Sequence, residues 1–147
     1  MRMAMSAGPT LFERIGGRPV LERVNRIFYD KVYAHPWLGQ FFAGVDQRAV
    51  ERKQSDLTSQ AMGVPGAFHG TYPLPGHKHM LITKELYAVR MQLKAEALRE
   101  AGIAEDLAEQ WLAIDRSFER ALVKSSAEEC EKRHAADRIL VIPKPST

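Results

Sequence analysis

Gly63-Val64-Pro65-Gly66-Ala67-Phe68-His69-Gly70-Thr71-Tyr72-Pro73-Leu74-Pro75-Gly76-His77 is the stretch on which the fold turns. Residues 63 to 76 hold four of the chain's ten glycines and three of its eight prolines. Proline removes a backbone donor and glycine costs helix entropy, so no long helix crosses this stretch. Helical periodicity lies on both sides of it. The class is therefore all-α, with an irregular break in the middle that ends on His77.

Upstream, Asp46 is a good N-cap for a helix over residues 47–62. Its expected inward stripe is Val50, Gln54, Leu57 and Ala61, at i, i+4, i+7 and i+11. Before it, Trp37-Leu38-Gly39-Gln40-Phe41-Phe42 reads as a short apolar corner. Earlier still, Arg18-Pro19 opens an amphipathic helix whose apolar positions are Val20, Leu21, Val24, Phe28 and Val32. That helix ends before Pro36, because the residue preceding proline leaves the α region. Thr10 and Glu13 form a capping box ahead of a short first helix that Gly16-Gly17 stops. Downstream of the break, Thr83 caps a helix to about residue 101, closed by Gly102. A last helix starts near Glu105 and carries Leu107, Trp111, Ile114, Phe118 and Leu122. No internal repeat and no strand alternation interrupts this order.

Three segments follow from the pattern. Residues 1–9 are small, apolar and unpatterned, as in a loose arm. Residues 10–125 form the domain. Residues 126–147 form a charged extension, in which Ile139-Leu140-Val141-Ile142 precedes Pro143 and Pro145. Composition leaves open whether that run docks on the domain or is disordered.

At 147 residues and 45% hydrophobic content, the length prior is one domain with one sizeable core. No apolar run is long enough to span a membrane, and residues 1–10 lack the apolar core of a secretory signal. A single cysteine, Cys130, excludes an internal disulfide framework and a C-x-x-C-H haem attachment. The expected compartment is a reducing one, most simply the cytoplasm. Twenty-one basic residues stand against 18 acidic ones, for a net charge of +3. The charges are interspersed, as in the segment from Lys124 to Arg138 with four of each sign. That distribution argues for a solvated surface and against a nucleic-acid partner.

The residues that could carry chemistry are few. Tyr29 and Gln54 sit at or beside apolar helix faces, where a phenol or amide needs a partner. Each either bonds to backbone or water, or converges on something bound between helices. His77 opens the motif His77-Lys78-His79-Met80-Leu81-Ile82-Thr83, and imidazole is a common ligand to zinc and to haem iron. His77 and His79 also invite a zinc reading with His69 or Cys130, although no C-x-x-C or H-E-x-x-H accompanies them. No phosphate loop and no G-x-S-x-G is present, and Cys130 lies in the charged tail as a spectator.

These segments, in their order and spacing, resemble a truncated haemoglobin, most similar to group I. The resemblance spans about residues 11 to 123. It is carried by Leu11-Phe12-Glu13-Arg14-Ile15-Gly16-Gly17, Phe28-Tyr29-Asp30-Lys31-Val32 and Phe41-Phe42-Ala43-Gly44-Val45-Asp46. It continues through Arg52-Lys53-Gln54, Gly63-Val64-Pro65, Phe68-His69-Gly70, His77 followed by Ile82-Thr83, and Ala97-Leu98-Arg99-Glu100-Ala101-Gly102-Ile103.

The resemblance implies a two-over-two helical sandwich enclosing haem b. By position, His77 is similar to the proximal iron ligand, its spacing to Ile82-Thr83 favouring it over His79. Tyr29 and Gln54 resemble the distal donors to bound ligand, and Phe42 the phenylalanine on the haem face. Val50 stands where the family places a gate residue. Lys53, beside Gln54, stands where some relatives ligate iron or pair with a propionate. Leu57, Phe68, Met80, Ile82 and Tyr87 complete the implied haem pocket. Three departures accompany the likeness. Val64 stands where relatives often have glycine, and Phe68 where tyrosine is common. Arg90 and Lys94 fall at positions that are usually apolar, so the expected buried face of their helix is Leu86, Val89, Leu93 and Ala97.

The function so implied is reversible binding of O2 and other diatomic gases, NO and CO among them. O2-dependent nitric oxide detoxification would need a separate reductase, since the chain carries no flavin or nicotinamide domain. A diatomic ligand on ferrous iron gathers negative charge, which the Tyr29 hydroxyl and Gln54 amide would stabilise. The alternatives are a six-coordinate redox or sensor protein with Lys53 as sixth ligand, or a helical nucleic-acid or protein binding module without haem. The last leaves Gln54 and the His77 segment unexplained.

Overall fold

The computed structural model describes residues 8–69 and 76–146. Most of the expected N-terminal arm, and residues 70–75 of the glycine and proline stretch, therefore lie outside the described residues. The helices are α1 (Leu11–Ile15), α2 (Arg18–Ala34), α3 (Gln47–Ala61), α4 (Lys84–Glu100), α5 (Glu105–Ser117) and α6 (Glu119–Leu122). A 3-10 turn over Leu38–Phe42 joins α2 to α3, and another spans Ala127–Glu129. No strand occurs among the described residues.

Helix limits follow local chemistry. Thr10 Oγ1 accepts from the Glu13 N–H, and the Glu13 carboxylate accepts from the Thr10 N–H, which completes the capping box. Asp46 caps α3 by accepting from the Ala49 N–H at 2.9 Å, and Thr83 caps α4 by accepting from the Leu86 N–H at 3.1 Å. Gly63 ends the α3 region at φ 116°, and a Cβ there would lie 2.8 Å from Thr10 Cγ2. Only glycine lets the end of α3 lie against the cap of α1.

Helix α2 is the hub, packing on both α3 and α4, while α5 packs on α4 and α1 touches α2 and α5. The result is two helices crossed over two. Its core gathers Leu21, Val24 and Phe28 of α2, Leu86 and Leu98 of α4, and Trp111 of α5.

Two expected faces are corrected. On α3 the buried residues are Glu51, Ser55, Thr58 and Ser59, while Ala61 is exposed and Val50, Gln54 and Leu57 are half-buried. The helix turns a polar face to α2 because α2 offers polar partners. Asn25 donates to Ser55 Oγ at 2.9 Å, and Arg26 pairs with Glu51 at 2.8 Å. On α4 the buried residues are Leu86, Tyr87, Lys94, Ala97 and Leu98, with Val89 and Leu93 only half-buried. Lys94 is turned inward because α5 supplies a buried carboxylate, Asp115.

The charged extension docks. Leu140 donates its N–H to His79 O at 2.8 Å and accepts from the Leu81 N–H at 2.9 Å. Glu131 donates to Lys78 O at 2.8 Å, and the Trp37 indole N–H donates to Ile142 O at 2.9 Å. Leu140 and Ile142 pack against the core. The Arg133 guanidinium and Asp137 carboxylate pair at 2.8 and 3.0 Å and close the tail on itself.

Candidate functional site

Residues 78–83 take several of their backbone hydrogen bonds from distant segments. Their backbone groups are satisfied from outside, as buried polar groups must be. The tail supplies Leu140 and Glu131, and residue 124 supplies both ends of its own side: Lys124 donates its backbone N–H to Ile82 O at 2.8 Å. Its Nζ lies 3.0 Å from Met80 O, 3.2 Å from Leu122 O and 3.4 Å from His77 O. One ammonium thus collects three carbonyls and fixes the turn that carries His77.

Held this way, His77 lines an apolar cavity of about 100 Å³. Leu38, Phe41 and Phe42 come from the 3-10 turn, and Met80 and Ile82 from the His77 segment. Leu86, Tyr87 and Arg90 come from α4, and Leu122 from α6. Of the expected pocket residues, His77, Phe42, Met80, Ile82 and Tyr87 meet at this cavity. Leu38, Phe41, Leu86, Arg90 and Leu122 join them without having been foreseen. Their apolar members lay in runs read as core, and core and pocket lining share the same periodicity.

The other expected residues stand back from it. Tyr29 is 5% exposed, with its ring 6.1 Å from Phe42 and 4.8 Å from Phe28, both edge-on. Gln54 donates to Thr58 Oγ1 at 3.3 Å, a long bond within its own helix. Val50 packs on the core, Leu57 is half-buried, and the half-buried Phe68 donates its N–H to Gln60 Oε1 at 3.2 Å. Lys53 is exposed on α3 and is not among the described residues that line the cavity. His79 is buried beneath the tail, with its Nδ1 unpartnered, and it too is absent from the cavity wall. Burial, then the Arg133 charge, hold its pKa below the usual histidine value. Among the described residues no three His, Cys, Asp or Glu side chains gather to hold a metal ion.

Behind the cavity lies a buried charge cluster. Asp115 of α5 is 2% exposed and faces two cations of α4. Arg90 Nη1 lies 2.9 Å from Asp115 Oδ2, and Lys94 Nζ 3.3 Å from the same oxygen. Arg90 also lies over the Phe28 ring at 5.1 Å and the Tyr87 ring at 5.8 Å, and Lys94 over Phe28 at 4.2 Å. The Tyr87 hydroxyl donates to the Asp115 carbonyl. Burial resists the Asp115 charge, but Lys94 and Arg90 outweigh it and hold the carboxyl below the usual range. Burial pushes Lys94 down to about 8 despite Asp115. It pushes Tyr29 up to about 12, against the opposing pull of the Arg90 charge.

Comparison with known proteins adds the following. The bacterial-like globin family matches residues 10–124. The group 1 truncated hemoglobin GlbN of Mycolicibacterium paratuberculosis is 31% identical over 94 residues, which are 64% of this chain and 69% of that one. The group 1 truncated hemoglobin of Tetrahymena thermophila is 24% identical over 103 residues, 70% of this chain and 85% of the other. Among solved structures, the truncated hemoglobin of Tetrahymena pyriformis superposes with a TM-score of 0.74 at 20% identity, covering 80% of this chain and all of that one. The group II truncated hemoglobin of Bacillus anthracis superposes at 0.72 with 25% identity, covering 82% and 95%.

Proposed function

The chain belongs to the bacterial-like globin family, and from that premise we propose that it holds haem b on His77 and reversibly binds O2 and related diatomic gases. The observation that carries the reading is the cavity. A single imidazole meets an apolar wall with aromatic faces, a donor set suited to an iron macrocycle. At about 100 Å³ the cavity is smaller than the roughly 300–1,000 Å³ of sites for larger ligands, so its walls must part to seat one. Haem bound there would supply an iron able to take up O2, NO or CO.

The residues of the chain divide the remaining work. His77 ligates, positioned by the Lys124 ammonium and the tail. Phe42, Met80, Ile82 and Tyr87 pack on the macrocycle and exclude water. The Tyr29 hydroxyl, kept protonated by burial at any physiological pH, serves as a permanent hydrogen-bond donor to ligand. Gln54 is the second donor, since breaking its long bond to Thr58 costs only about 1 kcal/mol. Two such donors favour slow ligand release over delivery, which suits O2-dependent nitric oxide detoxification with a separate reductase supplying electrons.

Reconstitution tests this. The purified chain titrated with haem should give a saturable Soret band at one haem per chain, shifted by CO in the ferrous form. His77→Ala should abolish the stable ligation, whereas His79→Ala should keep it. A missing Soret band would sink the haem reading, and intact ligation in His77→Ala would move the ligand elsewhere.

A further inference from the structure

Among the described residues lining the cavity, Arg90 is the one Lys, Arg, Asp or Glu. Its ordinary explanation would be a partner for Asp115, but the cluster does not need it for balance. Asp115 carries one negative charge and faces two cations, Arg90 and Lys94, on the same carboxylate oxygen. The group is one positive charge in excess. The surplus cannot be dispersed into water, because Lys94 is fully buried and Asp115 is 2% exposed. Arg90 alone keeps accessible side-chain surface, 22%, and it lines the cavity. The excess charge is therefore presented to whatever occupies that space.

The guanidinium is also rigid. Asp115 fixes one edge at 2.9 Å, and the Phe28 and Tyr87 rings lie at 5.1 and 5.8 Å. The Tyr29 phenol is close enough to feel the Arg90 charge, which opposes the upward push of burial on that hydroxyl. A fixed guanidinium at the cavity wall favours a ligand carrying negative charge.

We propose that Arg90 is a specificity-determining residue that makes this pocket select small anionic ligands of ferric haem iron over neutral ligands. The proposal rests on the haem reading above. A charge-assisted contact of this kind strengthens binding roughly 10- to 100-fold, while CO, which stays nearly neutral when bound, gains little from it.

The test compares fluoride and azide binding to the ferric protein with CO binding to the ferrous protein, each followed by the Soret shift at pH 7. In Arg90→Leu, fluoride and azide affinity should fall about 10- to 100-fold, with CO affinity within about threefold of the parent. Lys94 still pairs Asp115 in this variant, so the fold keeps its buried carboxylate satisfied. Arg90→Lys retains the charge and should recover most of the anion affinity, a rescue that a packing role would not give. Unchanged anion affinity in Arg90→Leu, or an equal loss for CO and anions, overturns the proposal. So does faster haem loss with ligand affinities intact, since Arg90 would then serve a haem carboxylate. Failure of the haem reading itself is recognised separately, by a parent protein with no Soret band.

Discussion

The two walls of the cavity are made by opposite means. The α4 wall is a seventeen-residue helix with a good cap, and its inward face is set by a buried ion cluster with α5. The facing wall, residues 76–83, has no helix beyond residue 77 and draws hydrogen bonds from Lys124, Glu131 and Leu140. One wall carries its own backbone order and imports charge. The other carries little order and imports nearly all of it. The difference teaches where each wall is vulnerable: the helical wall at one carboxylate, the irregular wall at a tail more than forty residues away in sequence.

The largest expected effect is on the helical wall. Asp115→Ala leaves Arg90 and Lys94 buried without a counter-charge, which should cost about 3–5 kcal/mol in urea unfolding. A loss below about 1 kcal/mol would mean that the cluster does not hold α4 against α5.

Next comes the irregular wall. A chain ending at Ser126 loses the Leu140, Glu131 and Ile142 contacts and leaves the Trp37 indole N–H without Ile142. The expected cost is about 2–4 kcal/mol, from buried apolar surface and unmet polar groups. Hydrogen exchange sharpens the contrast: the Leu81 amide, which donates to Leu140, should lose protection while amides 86–98 keep theirs. Equal loosening of both segments would erase the distinction between the walls.

The smallest effect is a pH dependence confined to α4. Lys94 titrates near 8 in the folded protein and near 10.5 when unfolded. Between those values the unfolded chain holds a proton that the native chain lacks, so stability from this group rises with pH. Below about 8 both states are protonated and the native state bears the full desolvation cost. Lys94→Met should therefore equal or exceed the parent by about 1–3 kcal/mol at pH 7, with the advantage shrinking towards pH 10. Taking the difference from the parent cancels the tyrosines, whose raised values oppose the trend at higher pH. A difference that is flat from pH 7 to 10 would show that Lys94 does not titrate in this window.

How much of this was legible in the sequence differs by residue. The helix limits were readable because Thr10, Pro19, Pro36, Asp46 and Thr83 act within three or four positions of themselves. His77, Met80, Ile82 and Tyr87 were readable through the family resemblance, and they meet at one cavity. The inward face of α3 was misread, since a hydrophobic stripe cannot reveal Glu51, Ser55 and Thr58 packed on Asn25 and Arg26. Lys53 beside Gln54 looked like a ligand position, yet it sits on the exposed side of α3. Arg90 and Lys94 stand out in the sequence as misfits, but nothing in the sequence marks Asp115 as their partner.

The sequence by itself therefore determined the all-α class, the order of the helices and where most of them begin and end. Those features depend on dihedral preference and on caps whose partners are local in the chain. The tertiary structure alone decided that the tail docks, that Lys124 gathers the carbonyls of the His77 turn, and that two α4 cations meet one α5 carboxylate. Each of these is a pairing across distant segments. A lysine or an aspartate is stable in solvent unless a partner waits for it inside, and only the packing of whole helices creates that partner.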